Sequence, residues 1–139
     1  KGGVSAVLTM LSENILSIVS CGNCLTLLYR DGNLSQISSP DCATQISISD
    51  NSHSKSTFPL VALGLYDLVT PKIWEVNVEP GDRVILLSDG VYGSLSLNDI
   101  KRIIQDGQND EVSQIDLLFG NANRKGNQDN QSAIIYSII

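Results

Sequence analysis

Two carboxylates stand where apolar runs meet turn residues, and they are the side chains of this sequence best placed to do chemistry. Asp89, in Leu86-Leu87-Ser88-Asp89-Gly90, follows directly on the unbroken apolar run Val84–Leu87, and Asp129, in Asn127-Gln128-Asp129-Asn130, precedes the apolar run that closes the chain. Acids at the ends of rigid strands can converge on one point. Hard divalent cations such as Mg²⁺ and Mn²⁺ take oxygen ligands of this kind and keep several waters. Asp-Gly and Asp-Asn are also common turn pairs, so each acid taken alone reads first as a structural residue.

The other reactive side chains are less well placed. Cys21-Gly22-Asn23-Cys24 is conspicuous, but a redox thiol wants its sulfur at a helix N-terminus, where the dipole lowers its pKa, and both flanks here read as strand. A zinc site needs two more ligands, and only Cys42 and His53 remain, both in a polar stretch and without paired spacing. Cys21 and Cys24 are therefore expected to flank a hairpin turn, and His53, the single histidine, to be a solvated loop residue. No Ser-His-Asp or Cys-His arrangement can be assembled. Lys1-Gly2-Gly3 and the scattered glycines lack the spacing and the strand-turn-helix setting of a phosphate-cradling loop.

The elements that must position the two acids follow from periodicity. Gly3–Leu11, Ile15–Ser20, Leu25–Arg30 and Leu34–Ile37 are apolar, β-branched runs between turn residues, and read as an antiparallel meander with hairpins at Cys21–Cys24 and Asp31-Gly32-Asn33. Ser38–Thr57 is too polar for a buried element and is expected to be loop, with one short edge strand around Gln45–Ile48. Lys72–Val78 alternates, with Trp74, Val76 and Val78 on one face and Glu75 and Asn77 on the other. After Glu79-Pro80-Gly81-Asp82, Val84–Leu87 reads as a central strand buried on both faces. Ser96 can cap a helix with the stripe Leu97, Ile100, Ile103 and Ile104. A second helix is expected over about Asp110–Phe119, with the stripe Val112, Ile115, Leu118 and Phe119, and a last strand over Ser132–Ile139. A long β portion, two helices and a closing strand make the class α+β.

Composition bounds the function classes. With 139 residues, 42% of them hydrophobic, the chain reads as one domain able to bury a core without disulfides or a structural metal. Its 9 Lys+Arg against 15 Asp+Glu give a net charge of −6, which argues against nucleic acid or an anionic membrane as partner. No apolar run approaches the roughly 18 residues that span a bilayer. Three cysteines, an odd count, fit a reducing compartment, so a cytoplasmic location is expected. The chain starts at Lys1, without an initiating Met or a leader pattern, and is expected to be cut from a longer product.

Read in order, several segments resemble one family. Gly81-Asp82-Arg83-Val84-Ile85-Leu86-Leu87-Ser88-Asp89-Gly90-Val91-Tyr92, followed by Leu95-Ser96, is similar to the GD-(apolar strand)-SDG segment of metal-dependent protein phosphatases of the protein phosphatase 2C type. Gly3-Val4-Ser5-Ala6-Val7 resembles that family's GSTA strand, Ile18–Cys24 its ANVGDS segment, and Tyr29-Arg30-Asp31-Gly32-Asn33 its RDGK turn. Gly126–Ile135, with Asp129 forty positions after Asp89, is similar to GSxDNITVIVV. Ala62-Leu63-Gly64-Leu65 and Val78–Asp82 also resemble segments of the bacterial sporulation-type serine phosphatases.

The resemblance implies an antiparallel β-sandwich flanked by helices, with residues 1–139 as the C-terminal part of a single phosphatase domain whose N-terminal strands are missing. It also implies a two-metal centre for Mn²⁺ or Mg²⁺, incomplete in this chain, with Asp89 and Asp129 as metal ligands. No side chain is implied as nucleophile: a metal-activated water would attack the phosphorus of phosphoserine or phosphothreonine in a phosphoprotein substrate. The family's acidic first strand and DGHGG loop have no counterpart here. Asn23 stands where the family has Asp, a weaker and neutral ligand, and Gly93 replaces an Asp common after SDG.

Three readings follow. The chain is part of an active serine/threonine phosphatase completed by a further segment, or a pseudophosphatase serving as an interaction or regulatory module, or an unrelated β-rich binding module. The missing strands predict uncovered sheet edges or faces, hence self-association or the need for a completing segment.

Overall fold

A computed structural model of the chain describes residues 2–49, 52–65, 67–106 and 110–139. In chain order its elements are β1 (Ala6–Ser12), β2 (Ile15–Cys21), β3 (Leu25–Arg30), β4 (Asn33–Gln36), β5 (Cys42–Ser49), β6 (Ser52–Pro59), β7 (Lys72–Asn77), β8 (Arg83–Leu87), α1 (Asp89–Tyr92), α2 (Leu97–Ile104), α3 (Glu111–Arg124) and β9 (Ala133–Ser137). Among the described residues the strands form a three-stranded sheet ordered β1-β2-β7, a four-stranded sheet ordered β4-β3-β8-β9 and the separate pair β5-β6, with every pairing antiparallel.

Side-chain alternation decides how these sheets stack. Leu16 and Ile18 of β2, with Val7, Trp74 and Val76, meet Leu28, Val84, Leu86, Val78 and Ile138 in one core between the two larger sheets. The other face of β3 and β8 carries Leu25, Leu27, Ile85 and Leu87, which pack with Val91, Ile100, Ile104, Leu118 and Ala122 of the helices. β8 is thus buried on both faces, as its unbroken apolar run requires. The layers run helices, four-stranded sheet, three-stranded sheet, which is the α+β sandwich expected.

Local chemistry sets the boundaries. Asp31 and Gly32 both take positive φ (48° and 76°), the backbone of a two-residue hairpin turn whose twist matches its strands. Ser96 caps α2 in a full capping box: its Oγ accepts the Asp99 N–H at 3.2 Å, and Asp99 Oδ2 accepts the Ser96 N–H at 2.9 Å. Asp110 caps α3 by accepting the Ser113 N–H at 2.8 Å.

Four expectations are corrected. β2 and β3 do not form a hairpin or a continuous meander: they lie in different sheets, and Cys21–Cys24 is the corner that carries the chain across the sandwich. Gly22 makes that corner with φ +100°, where a Cβ would stand 2.2 Å from Ser5 Oγ. Ser38–Thr57 is not a loop with one short strand. β5 and β6 pair along their lengths from Cys42↔Pro59 to Ser49↔Ser52, since Thr44, Ile46 and Ile48 recur at every second position as strand formers do. Asp50 and Asn51 of that stretch, like Lys1, lie outside the described residues. A helical turn, α1, follows β8 at once. Finally, α3 runs five residues past the expected Phe119, to Arg124, and its buried stripe is Gln114, Leu118 and Ala122, leaving Val112 69% exposed, while Leu97 of α2 also points outward.

Candidate functional site

β8 delivers Asp89 to one end of the sandwich. The strand ends at Leu87, and Ser88, in extended conformation, is the N-cap position of α1. Ser88 does not use its hydroxyl to cap the helix. Its Oγ accepts the Ser132 N–H at 2.9 Å and its own N–H donates to the Ser132 carbonyl at 3.0 Å, tying the start of α1 to the segment that leads into β9. Gln131 adds a third tie by donating Nε2 to the Gly90 carbonyl at 3.3 Å.

Gly90 shows how closely the two segments approach. A Cβ on Gly90 would lie 2.0 Å from the Asn130 carbonyl oxygen and 3.3 Å from the Asp129 carbonyl carbon, so the Asp89–Gly90 and Asp129–Asn130 peptides are pressed backbone to backbone. The loop of Asp129 holds itself in shape: Asn127 Oδ1 accepts the Asp129 N–H at 3.2 Å and Asn127 Nδ2 donates to the Asp129 carbonyl at 2.8 Å. The structure therefore brings together the two acids singled out in the sequence.

Among the described residues their electrostatics leave a negative charge without a basic partner. Burial first, and then the neighbouring charge of Asp129, push the Asp89 carboxyl above the usual carboxylate range. Asp89 Oδ1 accepts the Gly90 N–H at 3.0 Å, and Oδ2 accepts Asn23 Nδ2 at 2.5 Å. None of the ion pairs among the described residues includes either acid. An all-oxygen donor pair of like charge, without a cation from the described residues, fits a hard divalent ion. It fits as part of a site only, since among the described residues no group of three or more His, Cys, Asp or Glu is placed to hold a metal.

Other candidates resolve differently. All three cysteines are free, and burial, Asp89 and Cys21 raise the Cys24 thiol above its ordinary pKa, the reverse of what a reactive thiolate needs. His53 lies on β6 opposite Ile48 rather than in a loop. Gly93, where the resemblance leads one to expect an acid, sits where a Cβ would come within 2.6 Å of the Asp89 carbonyl oxygen. Asn23, read from the sequence as a weakened ligand, donates its Nδ2 to Asp89 Oδ2. The two residues are 66 positions apart, and no local pattern announces the contact.

No protein-family model matches the chain. Over 105 residues, 75% of its length, the chain is 30% identical to a protein described as probable protein phosphatase 2C 62 of Arabidopsis thaliana, and the match covers 13% of that relative. Among solved structures, the serine/threonine phosphatase PstP/Ppp of Mycobacterium tuberculosis superposes with a TM-score of 0.79 at 25% identity, over 96% of this chain and 59% of that one. The catalytic domain of the serine/threonine phosphatase PstP in complex with two manganese ions superposes with a TM-score of 0.71 at 22% identity, over 96% of this chain and 57% of the other. The chain thus spans well under two thirds of the length of each. The ordered motifs, the layered sandwich and these likenesses agree, and the chain belongs to the protein phosphatase 2C-like family of metal-dependent protein phosphatases, spanning part of the length of its relatives.

Proposed function

We propose that residues 1–139 form the C-terminal part of a serine/threonine protein phosphatase domain, in which Asp89 and Asp129 are metal ligands of a two-metal Mn²⁺ or Mg²⁺ centre. The observation that carries this reading is the convergence of two carboxylates on abutting loops, neither of them in an ion pair among the described residues. The solved PstP relative with two manganese ions supports the choice of metal. The remaining ligands belong to segments outside this chain, in keeping with the share of its relatives that it spans.

When bound, the cations would lower the pKa of a water and offset charge on the phosphoryl oxygens of a phosphoserine or phosphothreonine substrate. This chain's own residues present and orient the ligands. The rigid end of β8 sets the position of Asp89, the Asn127 side chain shapes the loop of Asp129, and the Ser88–Ser132 bonds fix one loop against the other. A phosphoprotein is the partner this chemistry serves. Three free cysteines support a reducing compartment, and no helix is long and apolar enough to cross a membrane among the described residues.

The test is Mn²⁺-dependent hydrolysis of a phosphothreonine peptide by the complete protein and by its Asp89→Asn and Asp129→Asn variants. Each substitution is expected to lower turnover by two or more orders of magnitude while the far-ultraviolet circular dichroism stays unchanged. Wild-type rates in both variants would refute the assignment. A folded complete protein without Mn²⁺-dependent hydrolysis would favour the pseudophosphatase reading.

A further inference from the structure

Asn23 is buried, at 7% exposure, in the corner between β2 and β3, and a buried amide must be satisfied. Three contacts hold the residue. Its backbone N–H donates to Ser5 Oγ at 3.3 Å, its backbone carbonyl accepts the Tyr92 hydroxyl at 2.6 Å, and its side-chain Nδ2 donates to Asp89 Oδ2 at 2.5 Å. Asp89 and Tyr92 are the first and last residues of α1. One residue of the corner thus grips both ends of the turn that carries the ligand, from a segment held by Gly22 against Ser5. A phenol is protonated throughout the neutral range, so the Tyr92 O–H donates to Asn23 there.

We infer that Asn23 is a positioning residue for Asp89: its amide N–H fixes one carboxylate oxygen and aims the other lone pairs before any cation arrives. A carboxylate at position 23 would face Asp89 as a second anion and could not donate. A neutral donor fixes the ligand at no cost in repulsion. The role rests on the metal reading proposed above, but the clamp itself exists in the metal-free protein and can be read there.

Two measurements on the complete protein test it. In the metal-free state, one side-chain amide proton of Asn23 should be shifted downfield and protected from exchange in ¹H–¹⁵N spectra, and Asp89→Ala should abolish both. Mn²⁺ affinity, read from the electron paramagnetic resonance of free Mn²⁺, should fall by roughly ten- to a hundred-fold in Asn23→Ala, with a smaller fall in Tyr92→Phe. An Asn23 amide that exchanges like an exposed one, or that ignores Asp89→Ala, would overturn the inference. So would a folded Asn23→Ala variant with wild-type Mn²⁺ affinity. A wild-type protein that binds no Mn²⁺ would overturn the metal reading and the role together, while the amide signature would still report the clamp, so the two failures are told apart.

Discussion

At the residue scale the site is a problem of close approach. Gly90 has no positive φ to explain it; what it provides is the absent Cβ that lets the Asn130 carbonyl come down onto α1. Gly90→Ala must push the two loops apart. Overpacking of a rigid contact costs about 1–3 kcal/mol, and the displacement moves Asp129 away from Asp89. The expected outcome is a loss of that size in urea unfolding together with weaker Mn²⁺ binding by the complete protein; unchanged values of both would contradict the geometry. The charge arrangement makes a second prediction of opposite sign. An acid whose folded-state pKa is raised binds more protons folded than unfolded, so its stability contribution falls as pH rises from the unfolded value of about 4 through the raised one. Asp89→Asn removes that penalty, but its single amide oxygen serves only one of the two donors, Gly90 N–H and Asn23 Nδ2, that Asp89 accepts. The lost bond is the same at every pH, so in metal-free buffer the melting temperature of the variant relative to the wild type should rise as pH goes from about 4 to 7. A difference that stays constant over that range would show that the Asp89 charge is compensated. Both acids are legible in the sequence because each stands in a turn pair near the end of an apolar run, Asp89 after Val84–Leu87 and Asp129 before the last strand. The closeness of Asp89 to Asn23 is not, because a contact across 66 positions leaves no trace in periodicity.

At the element scale the position of Asp89 depends on the other end of β8. There the Glu79-Pro80-Gly81-Asp82 turn is pinned by Arg30 of β3, whose Nε donates to Asp82 Oδ1 at 2.7 Å and Nη2 to Asp82 Oδ2 at 2.5 Å. Asp82 Oδ2 also accepts the Glu79 N–H at 2.9 Å, and Asp82 is almost fully buried. The Arg30 guanidinium, opposed in part by burial, holds the Asp82 carboxyl below the usual range. A depressed acid contributes stability that is complete above its unfolded pKa, near 4, and is lost as pH falls through the folded value. Arg30→Ala leaves a buried carboxylate without its cation, and the variant is expected to unfold at a lower urea concentration than the wild type at pH 7. The gap between variant and wild type should narrow below pH 4; a gap that is constant from pH 7 to pH 3 would count against the pair. Strand identities were readable here because alternation and unbroken apolar runs are local. Partners were not. Apolar faces of β2 and β3 that meet across a core have the same periodicity as strands that pair side by side, which is why the corner at Gly22 read as a hairpin. Of the β5–β6 pair the sequence shows only a short strand around Gln45–Ile48, because polar composition hides the strand-forming alternation of the rest.

At the scale of the whole molecule the layers are unequal. The four-stranded sheet is covered on one face by helices and on the other by the three-stranded sheet, but among the described residues no helix packs on the outer face of β1-β2-β7. There Leu8, Val19 and Ile73 stand in one cross-strand row, with Met10 in the next, and Leu8, Met10 and Ile73 are 66%, 65% and 65% exposed. An exposed apolar row of this kind is rarely left bare, and among the described residues β1 is in addition an edge strand. The 139-residue chain on its own should therefore associate with itself. Sedimentation velocity over a fifty-fold concentration range should show a rising weight-average coefficient. The double substitution Leu8→Glu and Ile73→Glu should suppress it, because it breaks the apolar row and adds to a charge that is already −6. The substitution leaves the core between the sheets untouched, so circular dichroism and the melting transition should survive. A sharp, concentration-independent monomer of the unsubstituted chain would mean that the exposed row is too small to drive association, and self-association that persists in the double variant would move the contact from this face to the edge of β1.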